Sequence, residues 1–132
     1  MDLLGAQRAR AYLAAVERRD TEAILGFFDD DVVLHVAGDH PWAGSYEGPA
    51  GILRWFQALL ERTEGSLTVE EDRVLASDTH AAVFARVRGR RGDLSFDVML
   101  LQSLRTGESG RWDKYFAMVD DQAAVDAFMV AP

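Results

Sequence analysis

The sequence predicts an α+β fold in which about three N-terminal helices pack on a curved, mostly antiparallel sheet. Two observations support this fold class. Apolar residues recur at helical spacing in much of the first half, whereas the second half contains several strand-length segments that alternate apolar and polar residues. We expect a cone-shaped α+β barrel that encloses one pocket. The chain has 132 residues and shows no repeat or linker, so residues 1–132 are expected to form a single domain.

The helices are predicted from apolar spacing and from residues suited to helix ends. Residues 5–18 form an amphipathic first helix. Asp20 or Thr21 can cap a short second helix, since both side chains accept hydrogen bonds from the first helical turn. Pro49 suits the first turn of a third helix, and another short helix is expected near the end of the chain.

The strands are predicted from β-branched and aromatic segments between turn residues. The run Asp29-Asp30-Asp31 is expected to form a solvated turn before the first strand, and 38–48 a long loop rich in glycine. The predicted strands cover residues 32–36, 67–76, 83–88, 94–105 and 112–119.

Composition excludes several classes of function. The formal net charge of −8 argues against a nucleic-acid partner, which requires a basic surface. The absence of cysteine excludes disulfides, thiolate metal sites and a cysteine nucleophile. No apolar run approaches the ~18 residues of a membrane span. Residues 1–7 lack the basic and apolar regions of a signal peptide, so we expect a cytoplasmic protein without membrane contact.

Three residues are candidates for chemistry in the pocket. His35 lies in an apolar strand, where it is either a hydrogen-bonded structural histidine or a base, because imidazole as a chemical group exchanges protons near working pH. Tyr12 lies on the buried face of the first helix and can orient a substrate oxygen. Asp113 shares its strand face with Tyr115 by alternation, away from Trp112, and is either the candidate acid or a carboxylate at the exposed start of the strand.

The expected substrate contacts are mostly apolar and aromatic. Large aromatic residues in the loop and the third helix can form a wall with a movable lid. In the long predicted strand 94–105, Asp97 is expected to point outward, so alternation directs the opposite face of this strand inward. Gln102 can orient a substrate but cannot transfer a proton. The expected binding residues are Trp42, Tyr46, Trp55, Phe96, Val98, Leu100, Gln102 and Tyr115.

The order of elements, with Tyr12, the segment 20–24, Asp30-Asp31 and the segment 35–38, resembles the nuclear-transport-factor-2-like superfamily. Within it the chain is most similar to SnoaL-like polyketide cyclases and ketosteroid isomerases. The resemblance covers almost the whole chain, and it implies the fold more specifically than the function.

Residue by residue, the isomerase machinery is incomplete. Ketosteroid isomerases use a carboxylate base and an oxyanion hole formed by a tyrosine and a protonated aspartate. The resemblance assigns the tyrosine to Tyr12, whereas the base position falls on His35 or Val36 and the aspartate position on Leu100. A supporting tyrosine in the third helix is replaced by Phe56. In the SnoaL-like cyclases an acidic residue in the later strands serves as acid/base, and alternation along the last strand makes Asp113 the best candidate for this role.

We therefore expect a cofactor-free acid/base enzyme of isomerase, cyclase or hydratase type, with a small hydrophobic carbonyl-containing metabolite as substrate. The alternative is a non-catalytic ligand-binding or dimerisation domain of the same fold. No metal is expected, because the three histidines would have to converge from a strand, a loop and a turn. A homodimer through the outer sheet face is expected, since the segment 94–104 is apolar on both faces.

Overall fold

The computed structural model describes residues 3–132, so Met1 and Asp2 of the N-terminal segment lie outside it. The described chain contains four helices and one sheet of six strands. The helices are α1 (Leu3–Glu17), α2 (Thr21–Gly26), α3 (Gly48–Arg62) and α4 (Gln122–Val130). The strands are β1 (Phe28–Val36), β2 (Gly44–Glu47), β3 (Thr68–Ala76), β4 (His80–Arg91), β5 (Leu94–Thr106) and β6 (Trp112–Val119).

The sheet has the strand order β2-β1-β6-β5-β4-β3. Strand β1 runs parallel to β6, and the other neighbouring pairs are antiparallel. Helix α1 packs against β3 and β4, α3 against β1 and β2, and α4 against β5 and β6. The core lies between these helices and one sheet face. The predicted α+β class and mostly antiparallel sheet are confirmed.

The helix ends follow the predicted capping chemistry. The carboxylate of Asp20 accepts a hydrogen bond from the Ala23 backbone N–H at 3.2 Å and thereby caps α2. Asp121 caps α4 in the same way. Pro49 lies in the first turn of α3, where its missing N–H breaks no helical hydrogen bond. Among residues 3–132, no helix combines the length and apolar character needed to cross a membrane.

Two segments predicted as a turn and a loop lie within strands of the sheet instead. Strand β1 already begins at Phe28, and the three aspartates form an irregular part of it, where the Asp31 N–H donates to Asp29 Oδ1 at 2.9 Å. Within the predicted loop 38–48, the segment Gly44–Glu47 pairs antiparallel with β1 as an edge strand. In the irregular part of β1, the Asp29 carboxylate accepts the hydrogen bond of the Asp31 backbone N–H, which would otherwise lack a partner on a neighbouring strand.

Strand β6 contains a bulge at its start. Arg105 of β5 pairs with Lys114, whereas the next residue, Thr106, pairs with Trp112. Asp113 is therefore an extra residue without a partner on β5. Because the bulge interrupts the alternation of faces, both Trp112 and Tyr115 are buried. The expectation that Trp112 lies on the outer face is wrong for this reason.

Candidate functional site

The candidate site is a cavity of about 80 Å³ between the sheet and helices α1, α3 and α4. It is lined mostly by apolar side chains. Of the residues predicted from sequence, seven lie in its wall, namely Tyr12, Trp55, Phe96, Val98, Leu100, Gln102 and Tyr115. The four on β5 face inward because alternate residues of a strand share a face, and Asp97 between them is exposed and bound to Arg86 and Arg88. Their role in binding stays a prediction.

Two tyrosine hydroxyls form the most deeply buried polar group of the wall. Tyr12 and Tyr115 have exposed fractions of 0% and 3%, and the Tyr12 hydroxyl donates to the Tyr115 oxygen at 3.2 Å. Burial raises the pKa of Tyr115 to about 12 and the pKa of Tyr12 well above its usual value. Both side chains are therefore neutral at neutral pH, and the Tyr115 O–H proton is left to donate to another group.

An aromatic cluster fixes the Tyr12 ring. The ring makes edge-to-face contacts with Phe27, Phe28 and Trp112, at centroid distances of 5.5 to 5.7 Å. Phe28 also stacks on Tyr115 at 5.7 Å. These contacts depend on the bulge at the start of β6, which directs Trp112 inward. The cluster holds the tyrosine pair in one geometry without a charged partner.

Gln102 places an amide in the otherwise apolar wall from β5. Its side chain is 4% exposed, and its Oε1 atom has no hydrogen-bond partner in the described chain. A buried acceptor without a partner costs about 1–3 kcal/mol of folding free energy. A group of this kind in a cavity wall is suited to accept a hydrogen bond from a ligand or from water.

His40 also lines the cavity, from the loop that follows β1. The Trp42 backbone N–H donates to its Nδ1 at 3.2 Å, so the neutral ring carries its proton on Nε2. That Nε2 atom is buried and has no partner in the described chain. Burial lowers the pKa of His40 below its usual value near 6.5, although Asp126 and Asp39 oppose this shift. His40 is thus a neutral hydrogen-bond donor.

Helix α4 completes the wall with Gln122, Val125 and Met129. Its first turns are fixed to the loop after β1, because Asp126 Oδ1 accepts hydrogen bonds from the Asp39 N–H at 3.1 Å and from Gln122 Nε2 at 2.9 Å. The loop after β1 and helix α4 approach each other closely at Gly38. A Cβ at Gly38, whose φ is +129°, would lie 2.6 Å from Gln122 Nε2.

Two arginines hold the other end of α4. Arg91 donates to the carbonyl oxygens of Phe128 and Ala131 at 2.9 and 2.8 Å, and Arg62 donates to that of Met129 at 2.9 Å. Cations at a helix C-terminus satisfy its free carbonyl groups and its dipole. The wall formed by α4 is therefore attached at both ends of the helix.

His35 does not line the cavity. Its neighbours Leu34 and Val36 are buried with exposed fractions of 0% and 8%, so alternation directs His35 to the outer face of the sheet. There the ring stacks on Phe116 at 4.6 Å, and Nδ1 hydrogen-bonds the Ser45 hydroxyl at 3.0 Å. The expectation that His35 acts as a base inside the pocket is wrong in its placement. Of the two alternatives at the base position, Val36 faces the cavity.

Asp113 also lies outside the cavity wall, because the bulge removes it from the face shared by Tyr115, Ala117 and Val119. Its carboxylate forms a bidentate ion pair with Arg105, with distances of 2.9 Å to Nε and 2.8 Å to the terminal nitrogen. These hydrogen bonds lower the pKa of Asp113 below its usual value. The placement of Asp113 as a pocket acid is therefore wrong, and its carboxylate stays ionised at neutral pH.

Trp42 and Tyr46 form a second layer behind the wall. Neither lines the cavity, which corrects the expectation of direct ligand contact. Tyr46 donates to the Trp42 carbonyl at 2.5 Å and packs on Trp55 with centroids 5.8 Å apart. The Arg62 guanidinium lies 4.9 Å from the Trp42 ring centre. Pairing of β2 with β1 holds Gly44–Glu47 of the predicted lid in the sheet.

The chemistry available to the cavity is hydrogen-bond donation rather than strong acid/base catalysis. Among residues 3–132, no Asp, Glu, Lys or Arg lines it, and no group of three or more His, Cys, Asp or Glu residues is suited to bind a metal ion. The polar atoms come from the tyrosine pair, Gln102, Gln122 and His40. His40 is not among the pocket residues predicted from the sequence, because no helical or strand period reaches this loop.

The chain was compared with known proteins. The SnoaL-like domain family matches residues 9–119. The structure of Bal32a, from a soil-derived mobile gene cassette, is similar with a TM-score of 0.88 at 25% identity, covering 94% of this chain and 95% of that one. TerC, co-crystallised with polyporic acid, is similar with a TM-score of 0.77 at 20% identity, covering 92% and 95%.

A candidate polyketide cyclase from Sinorhizobium meliloti is similar with a TM-score of 0.69 at 24% identity, covering 85% of this chain and 94% of that one. A comparison with curated protein sequences found no match. The similarity of the solved structures supports the fold, and the family match spans most of the chain. The protein therefore belongs to the family of SnoaL-like domains.

Proposed function

We propose that this protein is a cofactor-free enzyme of the cyclase or isomerase type that acts on a small hydrophobic carbonyl compound. In this proposal α1–α3 and the sheet form a cone around the cavity. One observation carries the proposal: the wall of an apolar cavity contains a buried tyrosine pair in which Tyr12 donates to Tyr115, so the Tyr115 proton is left to donate to a ligand. Membership of the SnoaL-like family and the fold shared with a candidate polyketide cyclase agree with it.

The proposed mechanism is stabilisation of an enolate or alkoxide oxygen. As the enolate forms, water or hydroxide from the solvent takes the α-proton, and the Tyr115 hydroxyl donates a hydrogen bond to the substrate oxygen. Tyr12 strengthens this donor by donating to the Tyr115 oxygen in turn. Donors placed where charge develops in a water-poor site commonly contribute about 10²–10³-fold in rate. This mechanism replaces the acid/base pair expected from His35 and Asp113, both of which lie outside the cavity.

Deuterium incorporation at the α-carbon of acetophenone in D₂O, followed by NMR, tests the proposal, since enolisation is a step common to isomerisation and aldol-type cyclisation. We expect the native protein to accelerate exchange and Tyr115→Phe to lose about 10²–10³-fold of that acceleration. Tyr46→Phe makes the same change at a tyrosine outside the cavity wall and should leave the rate unchanged. Equal rates in the native protein and Tyr115→Phe would refute the oxyanion role.

A second candidate function is a non-catalytic carrier of small hydrophobic molecules. It is favoured by one observation, that no carboxylate lines the cavity among the described residues. A carrier should bind acetophenone without accelerating exchange. The same experiment, combined with calorimetry of binding, therefore distinguishes the two functions.

We also propose that the protein is a homodimer through the outer sheet face. Phe116 lies on this face with 41% of its surface exposed, next to His35 on the neighbouring strand. Met99 and Leu101 of β5 lie on the same face and are half-buried. The helices cover the opposite face, so a second copy of the chain would bury these apolar side chains.

A further inference from the structure

Two polar atoms of the cavity wall lack a hydrogen-bond partner in the described chain, and they differ in kind. Oε1 of Gln102 is an acceptor, and Nε2 of His40 is a donor. They are carried by different elements, β5 and the loop after β1. Since buried polar groups are rarely left unpaired in folded proteins, each points to a bound molecule with the complementary group.

The acceptor is well defined by its surroundings. Gln102 is 4% exposed and lies between the apolar residues Leu100 and Leu104 on β5. On the neighbouring strand its pairing partner is Ala117, whose side chain offers no donor. Oε1 is a carbonyl oxygen, which accepts hydrogen bonds, and a carboxamide does not change its charge with pH. The partner of Oε1 must therefore be a donor such as a hydroxyl or an N–H group.

The donor is fixed by the backbone. The Trp42 N–H occupies Nδ1 of His40 at 3.2 Å, which leaves Nε2 as the protonated nitrogen of the neutral ring. The ring is nearly parallel to that of Trp55, with centroids 6.4 Å apart. The proton on Nε2 therefore requires an acceptor oxygen, such as a carbonyl or a carboxylate.

Water can serve both atoms only while the cavity is unliganded. A cavity of about 80 Å³ has room for water molecules. A ligand group that reproduces the hydrogen bonds of a displaced water gains affinity relative to an apolar group that does not. The two unpaired atoms therefore discriminate among ligands that otherwise fit the same apolar wall.

We propose that Gln102 and His40 form a donor–acceptor clamp that selects hydroxylated carbonyl compounds over purely apolar ones of the same shape. The ligand donates a hydroxyl hydrogen to Gln102 Oε1 and accepts the Nε2–H of His40 on its carbonyl oxygen, whose second lone pair is left for the Tyr115 hydroxyl. This clamp rests on the proposed function, because it specifies the substrate class of the same cavity. Gln102 and His40 act as specificity residues, whereas the tyrosine pair acts on the reacting oxygen.

Calorimetry with five matched probes tests the clamp. Ethylbenzene carries neither group, acetophenone carries the acceptor, 4-ethylphenol carries the donor, and 3- and 4-hydroxyacetophenone carry both. In the native protein we expect each matched group to improve Kd by about 2- to 12-fold, the range for one net hydrogen bond. The better of the two hydroxyacetophenone isomers should bind most tightly.

Two variants assign the effect to the two residues. Gln102→Met keeps the length of the side chain and should abolish the gain from the hydroxyl group while keeping the gain from the carbonyl. His40→Asn can still accept the Trp42 N–H but lacks Nε2, and it should weaken the carbonyl-bearing probes relative to ethylbenzene. His80→Asn makes the same change at an exposed histidine and should bind all probes as the native protein does.

The outcomes separate this inference from the proposed function. Binding of ethylbenzene as tight as that of the hydroxyacetophenones, unchanged in Gln102→Met and His40→Asn, overturns the clamp and leaves the apolar cavity as a binding site. Failure of every probe to bind the folded native protein overturns the proposed function and the clamp with it. Circular dichroism confirms that each variant is folded before its affinities are compared.

Discussion

Replacing Gln102 with leucine should stabilise the protein while removing its preference for hydroxylated ligands. The Gln102 side chain is 4% exposed, and its Oε1 lacks a partner in the described chain. Burial of such an acceptor costs about 1–3 kcal/mol. Leucine removes the acceptor and adds an apolar group to an apolar wall, so we expect a net gain of about 1–2 kcal/mol in the free energy of unfolding.

The gain converts into a measurable shift of the melting temperature. The unfolding entropy is about 2.1 cal/mol/K per residue near 60 °C, which for 132 residues gives about 0.28 kcal/mol/K. A gain of about 1–2 kcal/mol therefore raises Tm by about 4–7 °C. Differential scanning calorimetry without ligand measures the shift, and urea denaturation checks that the m-value is unchanged.

A matched control separates this effect from a general benefit of leucine. Gln7→Leu makes the same change at an exposed position of α1 and should alter stability by less than about 0.5 kcal/mol. A lower Tm for Gln102→Leu would contradict the prediction, since it would mean that ordered water already satisfies the amide at little cost. Stabilisation together with lost hydroxyl preference would identify Gln102 as a residue kept for binding rather than for folding.

Two further predictions concern His40 and the outer sheet face. Because burial lowers the pKa of His40 below about 6.5, the unfolded chain binds a proton more readily, and stability should fall as the pH decreases from 7 to 5. Urea denaturation should show a smaller loss of stability for His40→Asn over this pH range. An equal loss in the native protein and the variant would exclude His40 as the source. Phe116→Glu should convert the proposed dimer to a monomer in sedimentation experiments by placing a charge on its interface, and a native protein that is monomeric at micromolar concentration would refute the dimer.

Much of the sheet could be predicted from the sequence because its faces follow simple alternation. On β5 the inward residues Phe96, Val98, Leu100 and Gln102 were identified from this period alone, and Asp97 was expected outside. The bounds of β6 also match the prediction. A regular strand buried on one side has a strongly specified register, so the pattern carries the information.

Prediction failed where the alternation was interrupted or did not apply. The bulge at Asp113 could not be seen in the sequence, since Trp112, Asp113 and Lys114 fit either face. At His35 the apolar neighbours on both sides fit either face, so the sequence could not show whether His35 or Val36 points into the cavity. Partners on two adjacent strands stabilise the outward histidine. His40 lies in a loop, where its contacts depend on the tertiary position of α4.

The bulge at Asp113 also determines how the length of β6 can vary in relatives of this protein. Because Asp113 is the unpaired extra residue between Trp112 and Lys114, losing it would leave Trp112, Tyr115 and Ala117 on one face of a regular strand. A loss anywhere from Tyr115 to Val119 would instead exchange the inward and outward faces on one side of the gap. Insertions and deletions in this strand should therefore concentrate at the position of Asp113, so relatives with a shorter β6 can retain the same buried tyrosine.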